Sequence, residues 1–299
     1  MKVQSVCAAL AAIAFAVARP TAAKGVCYDP EHVDSVTEAT ISADFQTIKE
    51  KGFDLVRTYI TTYGTADLAT LAIAQGLNVS LGVPYDNDSP DDTATYVTAA
   101  ISAAALSNGT ARVVQIFVGN ENLASVDTVP TDMVSYIEQL QSSVDVPVGT
   151  VQRNTELLDS TRYAAISGLS DLLSTCDVVG VNIQPVFTSN TAASAAIDLV
   201  TAEWEELQGS DSESRFPGLA AKLSITESGW PTDGTSDGNT GSVDGAEIFF
   251  SNFTTWAEEN LESWQAHYFQ MFDISSASGS TFDPYFGLLD ADGNEKFSL

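Results

Sequence analysis

Histidine is nearly absent from this chain: two residues in 299, His32 and His267, beside three cysteines, Cys7, Cys27 and Cys176. So few soft ligands cannot assemble a zinc site by spacing, and neither a metal nor another cofactor is expected. Basic residues are scarce too. Lysine and arginine number 12 against 40 aspartates and glutamates, a formal net charge of −28. A surface this acidic repels nucleic acid, polyanionic sugars and anionic lipid headgroups, and leaves neutral partners open. Past the first two dozen residues, no apolar run reaches the ~18 residues of a membrane-spanning helix. No Gly-x-Gly-x-x-Gly follows the first strand-like segment, and there is no phosphate loop, so a nucleotide-binding open sheet lacks support.

What is present begins with a leader. Lys2, the apolar stretch Val6 to Val17 and the small residues Thr21-Ala22-Ala23 read as a secretory signal over residues 1–23. Its removal would take Lys2 and Arg19 and no acid, leaving residues 24–299 still more negative. The closing residues Glu295-Lys296-Phe297-Ser298-Leu299 have none of the apolar tail that a lipid-anchor signal requires. A secreted protein, extracellular or in a cell wall and monomeric, is therefore expected. Cys27 falls inside the first strand and Cys176 just ahead of the sixth, so two buried thiols are expected rather than a disulfide. Sequons stand at Asn78, Asn87, Asn108 and Asn252, of which only some are expected to carry glycan.

Periodicity organises the rest. Strand-like segments are expected at 24–28, 54–60, 77–83, 113–119, 146–151, 177–183, 221–226 and 264–272. Helical spacing intervenes at 41–51, 65–75, 93–106, 131–144, 162–173, 192–207 and 244–260. Eight strands alternating with helices, at roughly 30 residues per unit, predict a single-domain (β/α)8 barrel. Two of the strands end in a carboxylate. Val113 to Val118 runs into Gly119-Asn120-Glu121-Asn122, and Leu223 to Thr226 runs into Glu227-Ser228-Gly229-Trp230-Pro231. A barrel gathers all strand C-termini at one mouth, so Glu121 of strand four and Glu227 of strand seven would face each other across it. Paired carboxylates and a nearby indole suit sugar chemistry: one acid protonates the leaving oxygen, the other attacks or activates water, and the ring stacks on the sugar.

Several stretches, in order, resemble glycoside hydrolase family 17, the β-1,3-glucanase family of plants and fungi. They are Gly25-Val26-Cys27-Tyr28, Val56-Arg57-Thr58-Tyr59, Val118-Gly119-Asn120-Glu121, Val181-Asn182-Ile183-Gln184-Pro185, Thr226 to Gly234, Phe269-Gln270-Met271-Phe272-Asp273 and Phe286-Gly287-Leu288. The resemblance implies a retaining reaction on a β-glucan, with Glu121 as acid and then base and Glu227 as nucleophile. It implies that Asn120 binds the sugar 2-hydroxyl and that Tyr59, Asn182 and Trp230, with Tyr28 and Phe187, line the cleft. There are departures. Ile274 replaces an acid common after the Phe-Asp pair, Gln184 stands where plant members are aromatic, and Asn122 stands where they are apolar. Two rivals accompany the hydrolase reading: a glucanosyltransferase that remodels wall glucan, and a catalytically weak glucan-binding wall protein.

Other signals are read as structural. His267 lies in a strand and is expected to be a satisfied core residue. The oxygen-rich run Asp86 to Asp92 reads as a solvated loop at the mouth, and Asp290 to Asn294 as a tight turn. Trp204, Trp256 and Trp264 are expected to pack.

Overall fold

A computed structural model of the chain describes residues 24–299 apart from residue 88. The leader 1–23 lies outside the described residues. Eight parallel strands close on themselves: β1 Gly25–Tyr28, β2 Leu55–Thr58, β3 Asn78–Val83, β4 Ala111–Asn120, β5 Val148–Arg153, β6 Val178–Asn182, β7 Leu223–Ser228 and β8 Ala266–Tyr268. Each pairs with its sequence neighbours, and β1 pairs with β8, which completes the ring. This is the expected (β/α)8 barrel.

The outer layer is α1 Glu38–Glu50, α2 Leu68–Ala74, α3 Pro90–Ala104, α4 Thr131–Gln141, α5 Asn154–Leu158, α6 Ser160–Ala165, α7 Leu169–Thr175, α8 Ala196–Gln208, α9 Ser210–Arg215 and α10 Val243–Asn260. α1 starts where Thr37 and Thr40 form a capping box and buries Ile41, Phe45 and Ile48, one face of a 3.6-residue period. The single helix expected over 162–173 is instead broken. Gly168 adopts φ +83, which no helix interior allows, so the segment divides into α6 and α7. α9 was not foreseen, and β8 is much shorter than the apolar run 264–272.

The two faces of the strands carry different chemistry. Val26, Val56, Val79, Leu81, Ile116, Val118, Val179, Val181 and Ile225 point outward into one continuous apolar core beneath the helices. Inside the ring stand Cys27, Arg57, Ser80, Gln115, Asn182 and Thr226, joined across the barrel by hydrogen bonds. The interior is tight: a Cβ on Gly180 would sit 2.6 Å from both Thr226 Cγ2 and Val151 Cγ2. Cys27 and Cys176 are buried free thiols, as expected.

His267 is fully buried, with Nδ1 3.1 Å from the Ile225 carbonyl and Nε2 2.8 Å from Ser80 Oγ, which also accepts from Gln115 Nε2. Burial lowers its pKa to about 3, so it is a neutral, satisfied core residue. Asp290 takes its own backbone partners at Asp292 and Asn294, the expected turn. Among the described residues no helix is long and apolar enough to cross a membrane.

Candidate active site

Both glutamates sit where the strands stop being regular. The pairing of β4 with β5 shifts register between Phe117 and Asn120. Gly119 then takes φ +74 and Glu121 φ +58, a left-handed conformation uncommon for a residue with a side chain. On β7, the register shifts between Ile225 and Glu227. Ile225 faces the helices and Thr226 the interior, so strict alternation would send Glu227 outward. The irregularity re-aims it into the mouth, the use to which bulges near active sites are put.

One hydrogen-bonded network joins the two acids. Arg57 Nη1 donates to Glu227 Oε1 at 2.8 Å and to the Thr226 carbonyl at 3.0 Å, while Nη2 donates to Asn120 Oδ1 at 2.7 Å. Asn182 Nδ2 donates to Asn120 Oδ1 at 3.2 Å and to Glu121 Oε1 at 2.6 Å, and its own Oδ1 accepts from Thr226 Oγ1 at 2.8 Å. Tyr59 donates its hydroxyl to Glu227 Oε1 at 2.9 Å, and the Arg57 guanidinium lies 4.6 Å from its ring centroid. Glu227 is 7% exposed. The carboxylate therefore sits in a buried ion pair with two further donors.

The electrostatics favour the protonated form of Glu121. Burial raises the pKa of Glu121, and the nearby Glu227 charge adds to that; the Asn182 hydrogen bond, Arg153 and Arg57 oppose it. A carboxyl that keeps its proton to higher pH suits a general acid. The adjacent Glu227 carboxylate holds Arg57 charged despite burial, and burial pushes the Cys27 thiol up to about 12. Cys27, which donates to the Thr226 carbonyl at 3.2 Å, is thus a neutral part of the site floor.

Of the residues expected here, Glu121, Glu227, Asn120, Tyr59 and Asn182 are brought together. Two are not. Tyr28 is 1% exposed, shares the outward face of β1 with Val26, donates its hydroxyl to Asp44 at 2.7 Å and packs on Phe45 of α1. Trp230 is also 1% exposed and packs toward Phe249 of α10, so its ring offers no face to a sugar. Phe187 does reach solvent, 52% exposed at the end of β6, with its ring 6.2 Å from Phe282 and 6.4 Å from Phe286. It is the exposed member of an aromatic cluster whose other two rings are buried.

Sequence reasoning passed over Arg57, which holds Glu227 and Asn120 at once. The signal was available: a guanidinium inside the buried run Leu55-Val56-Arg57-Thr58 needs an anion beside it. Asn122, which the sequence marks only as a departure, has a role here. Its Oδ1 accepts from the Asn120 amide at 2.9 Å and its Nδ2 donates to the Tyr85 carbonyl at 2.7 Å, pinning the turn that carries Glu121. Among the described residues no group of histidine, cysteine, aspartate and glutamate could hold a metal ion.

A barrel with two glutamates facing one another across its mouth is the arrangement glycoside hydrolysis uses. The chain belongs to the BtgE/BtgC glycoside hydrolase domain family, whose sequence model matches residues 25–287, in agreement with the family 17 resemblance. It is 28% identical over 312 aligned residues to a probable glucan endo-1,3-beta-glucosidase of Aspergillus niger, covering 94% of this chain and 64% of that protein. It is 29% identical over 203 residues to a probable beta-glucosidase of Aspergillus terreus, covering 68% of this chain and 34% of that protein. The chain thus spans between about a third and just under two thirds of these relatives' length.

Solved structures share the barrel. A glycoside hydrolase family 17 beta-1,3-glucanosyltransferase from Rhizomucor miehei superposes with a TM-score of 0.71 at 22% identity, covering 92% of this chain and 95% of that one. An endo-laminarinase from Formosa Hel1_33_131 superposes with a TM-score of 0.72 at 16% identity, covering 91% and 84%.

Proposed function

We propose that the chain is a secreted, retaining glycoside hydrolase that cleaves β-1,3-glucan internally. The observation that carries the reading is the network Glu227–Arg57–Asn120–Asn182–Glu121, which spans the mouth and ties two carboxyls to one site. Glu121 donates its proton to the departing glycosidic oxygen. Glu227 attacks the anomeric carbon, and Glu121, now a base, takes a proton from the water that releases the sugar. Asn120 sits between Arg57 and Asn182 and is held for the 2-hydroxyl. Tyr59 and Asn182 line the catalytic subsite, Phe187 an outer one, and no cofactor enters any step.

The family membership and the similarity to a probable glucan endo-1,3-beta-glucosidase support the substrate class. Secretion rests on residues 1–23 and on the acidic composition. The test is reducing-sugar release from a linear β-1,3-glucan, present with wild type and absent with Glu227→Ala. Turnover retained by the variant would end the reading.

The exposed ring of Phe187 favours a second reading, a glucanosyltransferase, because a glucan stacked there would compete with water for the glycosyl-enzyme. Product size separates the two. Oligosaccharides longer than those supplied mean transfer; shorter ones alone mean hydrolysis. Full glucan affinity without turnover by wild type would favour a wall-binding protein instead.

A further inference from the structure

The two oxygens of Glu227 are not equivalent. Oε1 receives two short hydrogen bonds, from Arg57 at 2.8 Å and Tyr59 at 2.9 Å. Oε2 receives one long bond, from Gln184 Nε2 at 3.3 Å. Two strong donors engage the lone pairs of Oε1, one of them a cation. Oε2 keeps the more available electron pair.

Gln184 is itself held on both sides. Its Oε1 accepts from the Gly229 amide at 3.0 Å, and the preceding Ile183 amide donates to the Glu227 carbonyl at 2.8 Å. Gly229 cannot drift, because a Cβ there would lie 2.0 Å from the Phe269 carbonyl oxygen, so the chains are in close contact. The glutamine amide is therefore a fixed donor beside Oε2, anchored to the strand that carries Glu227.

We propose that Oε2 of Glu227 is the attacking atom and that Gln184 is a positioning residue acting through it. The proposal rests on the reading of Glu227 as nucleophile. In the first step, an Oε2 lone pair bonds to the anomeric carbon as the bond to the glycosidic oxygen breaks. That oxygen keeps the electron pair and takes the proton of Glu121. Oε2 is then an ester oxygen, a poor acceptor, and the Gln184 bond is lost. In the second step, Glu121 takes a proton from water, the water oxygen bonds to the anomeric carbon, and Oε2 departs with its electron pair as a carboxylate oxygen. The Gln184 N–H is waiting for that charge as it develops. Its contribution is thus larger in breakdown of the glycosyl-enzyme than in its formation.

The test is Gln184→Met, unbranched and of similar length, with Gln184→Leu as a second variant should the first fold poorly. With an aryl β-1,3-linked oligoglucoside, kcat is expected to fall about tenfold, the lower end for a bond to a charged group. KM should fall with it, leaving kcat/KM nearly unchanged, since kcat/KM reports formation and kcat breakdown. The intermediate trapped with a 2-deoxy-2-fluoro β-glucosyl donor should survive longer in the variant by intact-mass measurement. A fall in kcat/KM equal to that in kcat, or wild-type values throughout, would overturn the role of Gln184. Peptide mapping of the trapped wild type keeps the two claims apart. A label on Glu227 with wild-type kinetics in both variants sinks only the Gln184 proposal, and a label elsewhere sinks the reading beneath it.

Discussion

The two ends of the barrel interior make opposite use of polar residues. At the mouth, Arg57, Tyr59, Asn120, Asn182 and two glutamates form a network whose charges are held close together and partly desolvated. At the underside, Ser80, Gln115 and His267 form a neutral relay, and a cavity of about 740 Å³ opens outward between Leu55, Arg112, Val113 and Trp264. The underside has a hollow, and the mouth has the paired acids. What marks out the mouth is convergent charge, with burial raising the pKa of Glu121 beside the Arg57–Glu227 pair. The difference follows the chain direction. Strand ends at the mouth carry positive φ and acids, whereas strand starts at the underside carry neutral polar and apolar residues, even where β3 and β4 shift register between Val79 and Ser80.

The largest effect that could break this contrast is loss of either glutamate. Glu227→Ala should lower kcat/KM on β-1,3-glucan by roughly 10⁴-fold or more, and Glu121→Ala by about 10²- to 10⁴-fold. Steady-state reducing-sugar assays check both. Arg57→Leu should cost both activity and stability, because Glu227 is left charged, buried and without its cation. About 3–5 kcal/mol in urea unfolding is expected, as for other broken buried pairs.

At the other pole, Trp264 packs with Phe117, Val151 and Val178. Trp264→Ala should lower stability by roughly 2–4 kcal/mol while kcat/KM, measured on the folded fraction, stays within twofold of wild type. An activity loss matching that of the mouth variants would erase the distinction between the poles.

Two smaller effects sharpen it. Glu121 has a raised pKa, so the folded chain binds that proton more tightly than the unfolded chain. The stability it contributes is complete below the ordinary carboxylate range and falls as pH rises toward the raised value. Glu121→Gln, which can still accept from Asn182, should therefore melt higher than wild type at neutral pH. The gap should close below about pH 4, where the unfolded carboxyl is also protonated. Calorimetry at both pH values reads this. Phe187→Ala should raise KM a few-fold and change stability by less than about 0.5 kcal/mol, since the ring is largely exposed.

Much of this was legible in the residues. Eight alternating units gave the barrel, and a carboxylate at the end of strands four and seven gave the pair, because a closed parallel ring leaves strand C-termini only one place to meet. What alternation alone could have refined is Tyr28: it shares parity with Val26, and the parity of Cys27 is the inward one. Trp230 misleads for another reason. An indole beside an acid fits a sugar platform and a core anchor equally, and only the position of α10, with Phe249 against it, decides. The break at Gly168 was hidden because one glycine in a helical pattern is tolerated as often as not, and its φ is fixed by what packs around it. The partner of Arg57 lies 170 residues away in sequence, beyond any local pattern.

The most direct measurement of the central claim is the anomeric configuration of azide products by proton NMR. Glu227→Ala with an activated aryl β-glucoside and sodium azide is expected to yield the α-glycosyl azide, as azide enters the space the missing carboxylate left. Glu121→Ala under the same conditions is expected to yield the β-azide, formed from the intact glycosyl-enzyme. The same anomer from both variants would contradict the assignment of the two acids to opposite faces of one sugar.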